Sequence, residues 1–296
     1  PVESVEEAAM LVDKLTAYAE STIEDFGDWR QRLVLVGDYK EGEGKTHMRQ
    51  ADGYSALIEA NSPNTNIDKV FLDNYPAERN AGGLSFPEAR RAMLDQFDRG
   101  ALIMNYTGHG GENAWSNASL LTLADIEAMQ NGPRQPCVVT ATCEFGRWDD
   151  HSFRSGGELF LLREGGGAIA MFTTVRLVYS YPNERLNRNF YGQVFTYDQD
   201  KGRMPTVGEI MMRTKNATFR NSGDDINSRN FTLLGDPGLI LAYPEMKAAI
   251  TSINNVPLDP TVPDTLRSLA KVTIEGIITD VDGTPIPDFI SFRCFN

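Results

Sequence analysis

The chain has 296 residues, of which 41% are hydrophobic and 23% charged, and its formal net charge is −13. That length suits one large α/β domain and part of a second, and the composition is that of a folded globular chain. No run approaches the roughly 18 apolar residues of a membrane helix, no Lys/Arg cluster suits nucleic-acid phosphates, and no basic n-region with an apolar stretch behind it opens the chain.

The first residue is Pro1, and the last residues read as an unfinished strand, so a piece of a longer protein is expected. The cysteines Cys137, Cys143 and Cys294 follow no disulfide spacing and form no CxxC. The histidines His47, His109 and His151 are too few and too scattered for a zinc site.

In chain order, Ser4 and Glu7 form a capping-box pattern ahead of Val5, Ala8, Leu11, Leu15 and Tyr18 at helical spacing. The run Leu33-Val34-Leu35-Val36 reads as a strand ending at Gly37-Asp38. A helix over 52–60 and a strand over 69–72 follow. Ser85 and Glu88 suggest a cap for a helix carrying Ala89, Met93 and Phe97. Strand 101–106 ends at Thr107-Gly108-His109. A helix near 122–130 leads to strand 137–141, which ends at Thr142-Cys143. A helix near 157–163 then leads to strand 168–173. Helices over 184–196 and 206–219 precede Leu233-Leu234-Gly235-Asp236-Pro237.

Continuous apolar strands alternating with helices predict a parallel sheet buried on both faces. The expected catalytic domain covers 1–249, with a linker over 250–268 and the start of a small β-sandwich domain over 269–296. The sandwich expectation rests on the alternation of Val272, Ile274 and Ile277 and on the turn pair Asp282-Gly283.

In an open parallel sheet, functional groups gather beyond the carboxyl ends of the strands. Asp38, His109 and Cys143 all fall there. Glycines flank His109 on both sides. A glycine admits positive φ and close approach of a substrate, and it leaves the Gly110 amide open as an oxyanion donor. Strand 137–141 delivers Cys143 to its own end. A thiolate nucleophile needs a base or a cation beside it, and His109 supplies one if the two strands are neighbours. The Cys143 amide then joins Gly110 at the oxyanion. The plainer alternatives are a loop histidine in a Gly-rich turn and a structural cysteine; Cys137, inside the strand, takes the latter reading.

The segments NYTGHG with Glu112 and Trp115, TATCEFGRWDD at 140–150, GGAIAMFTTVR at 166–176 and LLGDPGLILAYP at 233–244 resemble the gingipain family of cysteine peptidases, and most of all its type IX secretion sortases. The resemblance covers about residues 28–244. It implies a caspase-like α/β fold, a dyad of His109 and Cys143, and a third, acidic member that falls on Asp38. An alternative for Asp38 is a turn residue capping local amides. The acidic specificity residue of the Arg- and Lys-cutting members would fall at Gly44, shortly before His47, so that preference does not carry over. Thr173, Thr174 and Arg176 are expected to line a pocket wall. Arg176 then either meets a substrate carboxylate or pairs with a nearby acid. His47 with Asp52 reads either as a metal or structural pair or as a satisfied loop histidine.

The expected reaction is peptide cleavage through a Cys143 thioester, with His109 protonating the leaving amine. The resemblance implies cargo proteins that lose a C-terminal sorting domain, a surface glycolipid as acyl acceptor, other outer-membrane proteins of the secretion machinery as partners, and a place at the cell surface. No cofactor is needed for that chemistry, and the oxygen-rich loops leave room for a structural Ca²⁺. The rivals are a non-catalytic docking module and a plain hydrolytic protease.

Overall fold

The computed structural model describes residues 2–20, 26–39, 45–81, 83–259, 261, 265–280 and 283–286. Helix α1 (Val5–Ala19) starts where the sequence places it, with the Ser4 hydroxyl accepting the Glu7 N–H at 3.0 Å. Strand β1 (Arg32–Gly37) is buried along its whole length. Helices α2 (Thr46–Gly53) and α3 (Ser55–Asn61) lead to β2 (Asn66–Phe71). The short antiparallel pair β3 (Glu78–Asn80) and β4 (Gly83–Ser85) precedes α4 (Pro87–Arg99) and β5 (Ile103–Thr107). Three short strands follow, β6 (Gly110–Gly111), β7 (Ala114–Trp115) and β8 (Leu121–Thr122). Then come α5 (Leu123–Ala128), β9 (Cys137–Ala141), α6 (Gly156–Leu162) and β10 (Ala170–Thr174). Helices α7 (Ser180–Val194), α8 (Val207–Ser222) and α9 (Ile226–Arg229) end at β11 (Phe231–Leu234).

The main sheet runs in the order β11-β10-β9-β5-β1-β2, parallel except for β11, which pairs antiparallel with β10. Successive side chains leave opposite faces of a strand, so each strand feeds two cores. Leu33, Leu35, Ile103, Val139 and Phe172 pack with Tyr54, Phe190 and Ile210 on one face. Val34, Val36, Met104, Val138 and Met171 pack with Met93, Phe97, Ile126 and Phe160 on the other. Helices thus cover both faces, as a parallel sheet requires. From β1 the chain moves outward to β2, then returns to the far side of β1 as β5. That reversal opens a crevice at the carboxyl ends of β1 and β5.

Several local expectations are corrected. The helix expected over 52–60 is the second of two, and α2 begins already at Thr46. Its sequence, THMRQADG, has too few apolar residues to show a 3.6-residue period. Ser85 does not cap α4: it belongs to β4, the N-cap is Phe86, and Pro87 opens the helix with its preset φ. Helix α7 starts at Ser180, before Pro182, because proline is tolerated in the first turn.

The first compact unit ends at Tyr243 and the second begins at Pro244. The stretch expected as a linker over 250–268 contains strand residues instead. Strand β12 (Lys247–Ile253) pairs antiparallel with β13 (Val256–Pro257) and with β14 (Ile274–Thr279). The polar residues and prolines there mark exposed strands and turns rather than a free connector, since β12 is exposed at five of its seven positions. Asp282 of the expected turn, and 287–296 of the expected sandwich, lie outside the described residues.

Candidate active site

Register decides the site. Strands β5 and β9 are neighbours, with Thr107 opposite Ala141. His109 and Cys143 each lie two residues beyond that pair. Both line one cavity of about 50 Å³, together with His47, Gln50, Ser180 and Asn183. The Cys143 thiol is half-buried and lies 3.6 Å from the Val178 carbonyl oxygen. Cys137, at the other end of the same strand, is fully buried, and burial pushes its thiol well up from the ordinary range. A thiol in that environment is inert, so of the two, Cys143 is the one placed for chemistry. Cys294 lies outside the described residues.

The backbone of His109 is held on three sides. Its N–H donates to Asp38 Oδ2 at 3.0 Å. Its carbonyl oxygen accepts the Tyr106 hydroxyl at 2.6 Å and the Ser116 N–H at 2.8 Å. Tyr106 in turn stacks on Trp115, with ring centroids 4.6 Å apart and planes 3° from parallel. The imidazole itself is exposed at the rim.

The glycines beside His109 do a different job from the one the sequence suggests, for neither has positive φ. A Cβ on Gly108 would lie 2.3 Å from Asp38 Cβ, and one on Gly110 would lie 2.6 Å from Thr142 Oγ1. Both positions exclude a side chain because the chain passes close to its neighbours. The left-handed conformation occurs instead at Glu144, with φ of 55°, immediately after Cys143. Such a backbone is costly for a non-glycine residue and gathers at functional sites.

The Gly110 amide is not spent on the neighbouring strand β7. In an antiparallel ladder, hydrogen-bonded and non-hydrogen-bonded pairs alternate. Ser116 N–H bonds to His109 O, so the next pair, Gly110 opposite Trp115, is a non-bonded one. The Gly110 N–H therefore points away from β7.

Asp38 is only 1% exposed, and its contact with His109 runs through the main chain. Its other oxygen, Oδ1, accepts the Tyr39 N–H at 2.9 Å. Among the described residues no hydrogen bond joins this carboxylate to the imidazole. Burial raises the Asp38 pKa above the ordinary range, while hydrogen bonds from Ser116, His109 and Tyr106 oppose the rise. The Asp38 carboxylate thus holds main-chain amides of its own turn and of the His109 loop, the contacts that the amide-capping alternative describes.

The expected pocket wall is displaced. Thr173 and Thr174 are both fully buried. Their hydroxyls are spent within the sheet, Thr173 with Thr140 at 2.8 Å and Thr174 on the Thr142 carbonyl at 2.5 Å. Arg176 turns away and grips Asp149 with two hydrogen bonds, at 3.0 and 2.5 Å. Gly44 lies outside the described residues. The wall of the cavity comes instead from Val178, just ahead of α7, and from Ser180 and Asn183 in the first turn of that helix. Asn227 braces it, donating to Asn183 Oδ1 at 3.0 Å and accepting the Tyr179 N–H at 2.9 Å.

His47 and Gln50 are the site residues that sequence reasoning missed. Both are buried and share a face of α2, three positions apart. The i, i+3 spacing was the available signal. Asp52 is not the partner of His47; it pairs with Lys69 at 2.7 Å. Among the described residues no group of three or more His, Cys, Asp or Glu side chains could hold a metal ion. No helix there is long and apolar enough to cross a membrane.

A thiol and an imidazole line one cavity at adjacent strand ends, the pairing of groups that a cysteine peptidase uses. The profile of peptidase family C25 matches residues 1–242, and the chain belongs to that family. Lys-gingipain of Porphyromonas gingivalis is 24% identical over 227 residues, which is 76% of this chain and 12% of that protein. Lys-gingipain HG66 from the same organism is 23% identical over the same length. The chain thus spans about an eighth of the length of these curated relatives. The crystal structure of the Arg-specific cysteine proteinase gingipain R (RgpB) aligns with a TM-score of 0.66 at 18% identity, over 96% of this chain and 66% of that one. The complex of the P. gingivalis RgpB pro- and mature domains gives 0.67 at 17% identity, over 96% and 67%. At that identity the likeness carries the fold: a gingipain-like, caspase-like α/β domain.

Proposed function

We propose that this chain is the catalytic part of a sortase-like cysteine endopeptidase. Cys143 attacks a peptide carbonyl, His109 protonates the leaving amine, and the Gly110 and Cys143 amides hold the oxyanion. The acyl group then passes from the thioester to an amine. The observation that carries the peptidase step is the β5–β9 register, which brings His109 and Cys143 to one cavity. The transfer step rests on the sequence resemblance to PorU, the type IX secretion sortase. That resemblance supports cargo bearing a C-terminal sorting domain as the substrate, a surface glycolipid as the acceptor, other outer-membrane secretion proteins as partners, and a cell-surface location. The oxygen-rich loops leave room for a structural Ca²⁺, although no cluster of three or more His, Cys, Asp or Glu side chains among the described residues marks a place for it.

The test is Cys143→Ala in the intact parent protein. Cargo is expected to keep its C-terminal domain; processing at the wild-type rate would refute the nucleophile. Adding a glycine ester during turnover is expected to give an amine adduct of the cargo. Hydrolysis without any adduct would favour the second reading, a plain gingipain-like protease, which the likeness to Lys-gingipain supports.

A further inference from the structure

The His109 backbone is fixed, but its imidazole is exposed, so local packing leaves the ring free to choose rotamers. The aromatic neighbour of that ring is His47. The two ring centroids are 5.0 Å apart and the planes stand at 86°, edge to face. His47 is itself only 6% exposed and sits on α2, a helix packed against β1 and β5. It faces the same cavity as Cys143. The Asp38 oxygens accept main-chain N–H groups, so the usual orienting carboxylate does not touch the ring.

We infer that His47 is a positioning residue that aims the His109 imidazole at Cys143, in the place a third acidic residue would otherwise take. This rests on the Cys143–His109 reading above. The mechanism is geometric. An aromatic face attracts the positive edge of a ring set against it, and attracts a cation more strongly. A buried ring set at right angles to His109 therefore favours one orientation of the imidazole over the others. Among the described residues, the titratable groups around His47 include His109 and Cys143 on the cavity, Asp38 beneath the His109 loop, and Glu184 of α7, which accepts from Gln50 at 3.4 Å. Arg49 and Asp52 share its helix, and Lys69 of β2 holds Asp52.

A tripeptidyl vinyl sulfone tests the geometry on the full chain. The thiolate sulfur bonds to the β-carbon, the alkene electron pair moves to the α-carbon, and that carbanion takes its proton from the imidazolium. The inactivation rate constant reads ring position, and the half-saturation concentration reads binding. His47→Phe keeps a ring, whereas His47→Leu fills similar volume without one.

The Leu variant is expected to lose about 10- to 100-fold in the rate constant, the scale of a misaligned reacting group, with half-saturation within about twofold of wild type. The Phe variant is expected to stay within about threefold of wild type on both. Melting curves of the two variants separate a folding defect, which both share, from the ring effect, which distinguishes them. Equal rates for Leu and wild type, equal losses for Phe and Leu, or a change confined to half-saturation would each overturn the inference. His109→Ala is the separate control. If it inactivates as fast as wild type, the dyad reading fails, whatever position 47 does.

Discussion

Glu112 and Arg147 tie the His109 loop to the Cys143 loop: the guanidinium donates to Glu112 Oε1 at 2.5 Å. Glu112 lies three residues past His109, and Arg147 four past Cys143. The Glu112 carbonyl also accepts the Gly156 N–H at 2.7 Å, anchoring the same loop to the start of α6. Arg147 reaches on to Asp150 at 3.2 Å. The pair is partly exposed, so its contribution to stability is small. Its effect is on alignment. Arg147→Ala is expected to lower kcat/KM by about 10-fold while moving Tm by no more than about 2 °C. Turnover and melting measured on one preparation check this, and a large loss of Tm with normal turnover in the surviving fraction would assign the pair to stability instead.

Gly110 is the sharpest test of the oxyanion site. An added Cβ would lie 2.6 Å from Thr142 Oγ1 and 2.8 Å from the Ala114 carbonyl oxygen. One of those neighbours is backbone, so the loop itself must move. Gly110→Ala is expected to lower kcat by about 10²- to 10³-fold, the cost of losing one oxyanion donor. Alkylation of Cys143 by iodoacetamide, which builds no oxyanion, is expected to proceed nearly as in the wild type. Retained turnover would place the oxyanion elsewhere.

Asp38 gives the pH dependence. Burial raises its pKa in the folded chain from the ordinary 3.8. Between those two values the folded state holds a proton that the unfolded state has released. This group's contribution to stability is therefore fully present below about 3.8 and is lost as pH rises through the folded value. Asp38→Asn removes the titration. The Tm of wild type minus that of Asp38→Asn is expected to fall as pH rises through this window and to level off above it. Since Asn offers only one acceptor oxygen, the His109 or the Tyr39 N–H loses its partner, and turnover is expected to drop as well. A Tm difference that is flat with pH would show that Asp38 ionises normally.

Much of the frame was legible in the chain itself. The apolar runs around Leu35, Met104, Val139 and Met171 specify interior strands, because a strand with both faces buried has no polar side to show. Glycines bracketing His109, and a cysteine closing an apolar strand, mark two strand tips with chemistry on them. Local pattern also identified α1 through its cap, and the helix expected over 206–219 is α8. Where it failed, the signal was weak for a physical reason. Helix α2 has almost no apolar period, and its burial of His47 and Gln50 comes from being pressed against β1 and β5. Arg176 does pair with an acid, one of its two expected fates, but that the acid is Asp149, 27 residues earlier, no spacing rule announces.

The order of the strands was decided only in three dimensions. Composition and periodicity say which segments are strands, but pairing depends on which helices cover which face. Here that places β5 beside β9, and so His109 beside Cys143. The pocket wall from α7, the edge-on contact of His47 and the main-chain role of Asp38 follow from the same packing. Each joins residues remote in the chain, and contacts of that kind arise from burial of the whole sheet rather than from any short stretch of sequence.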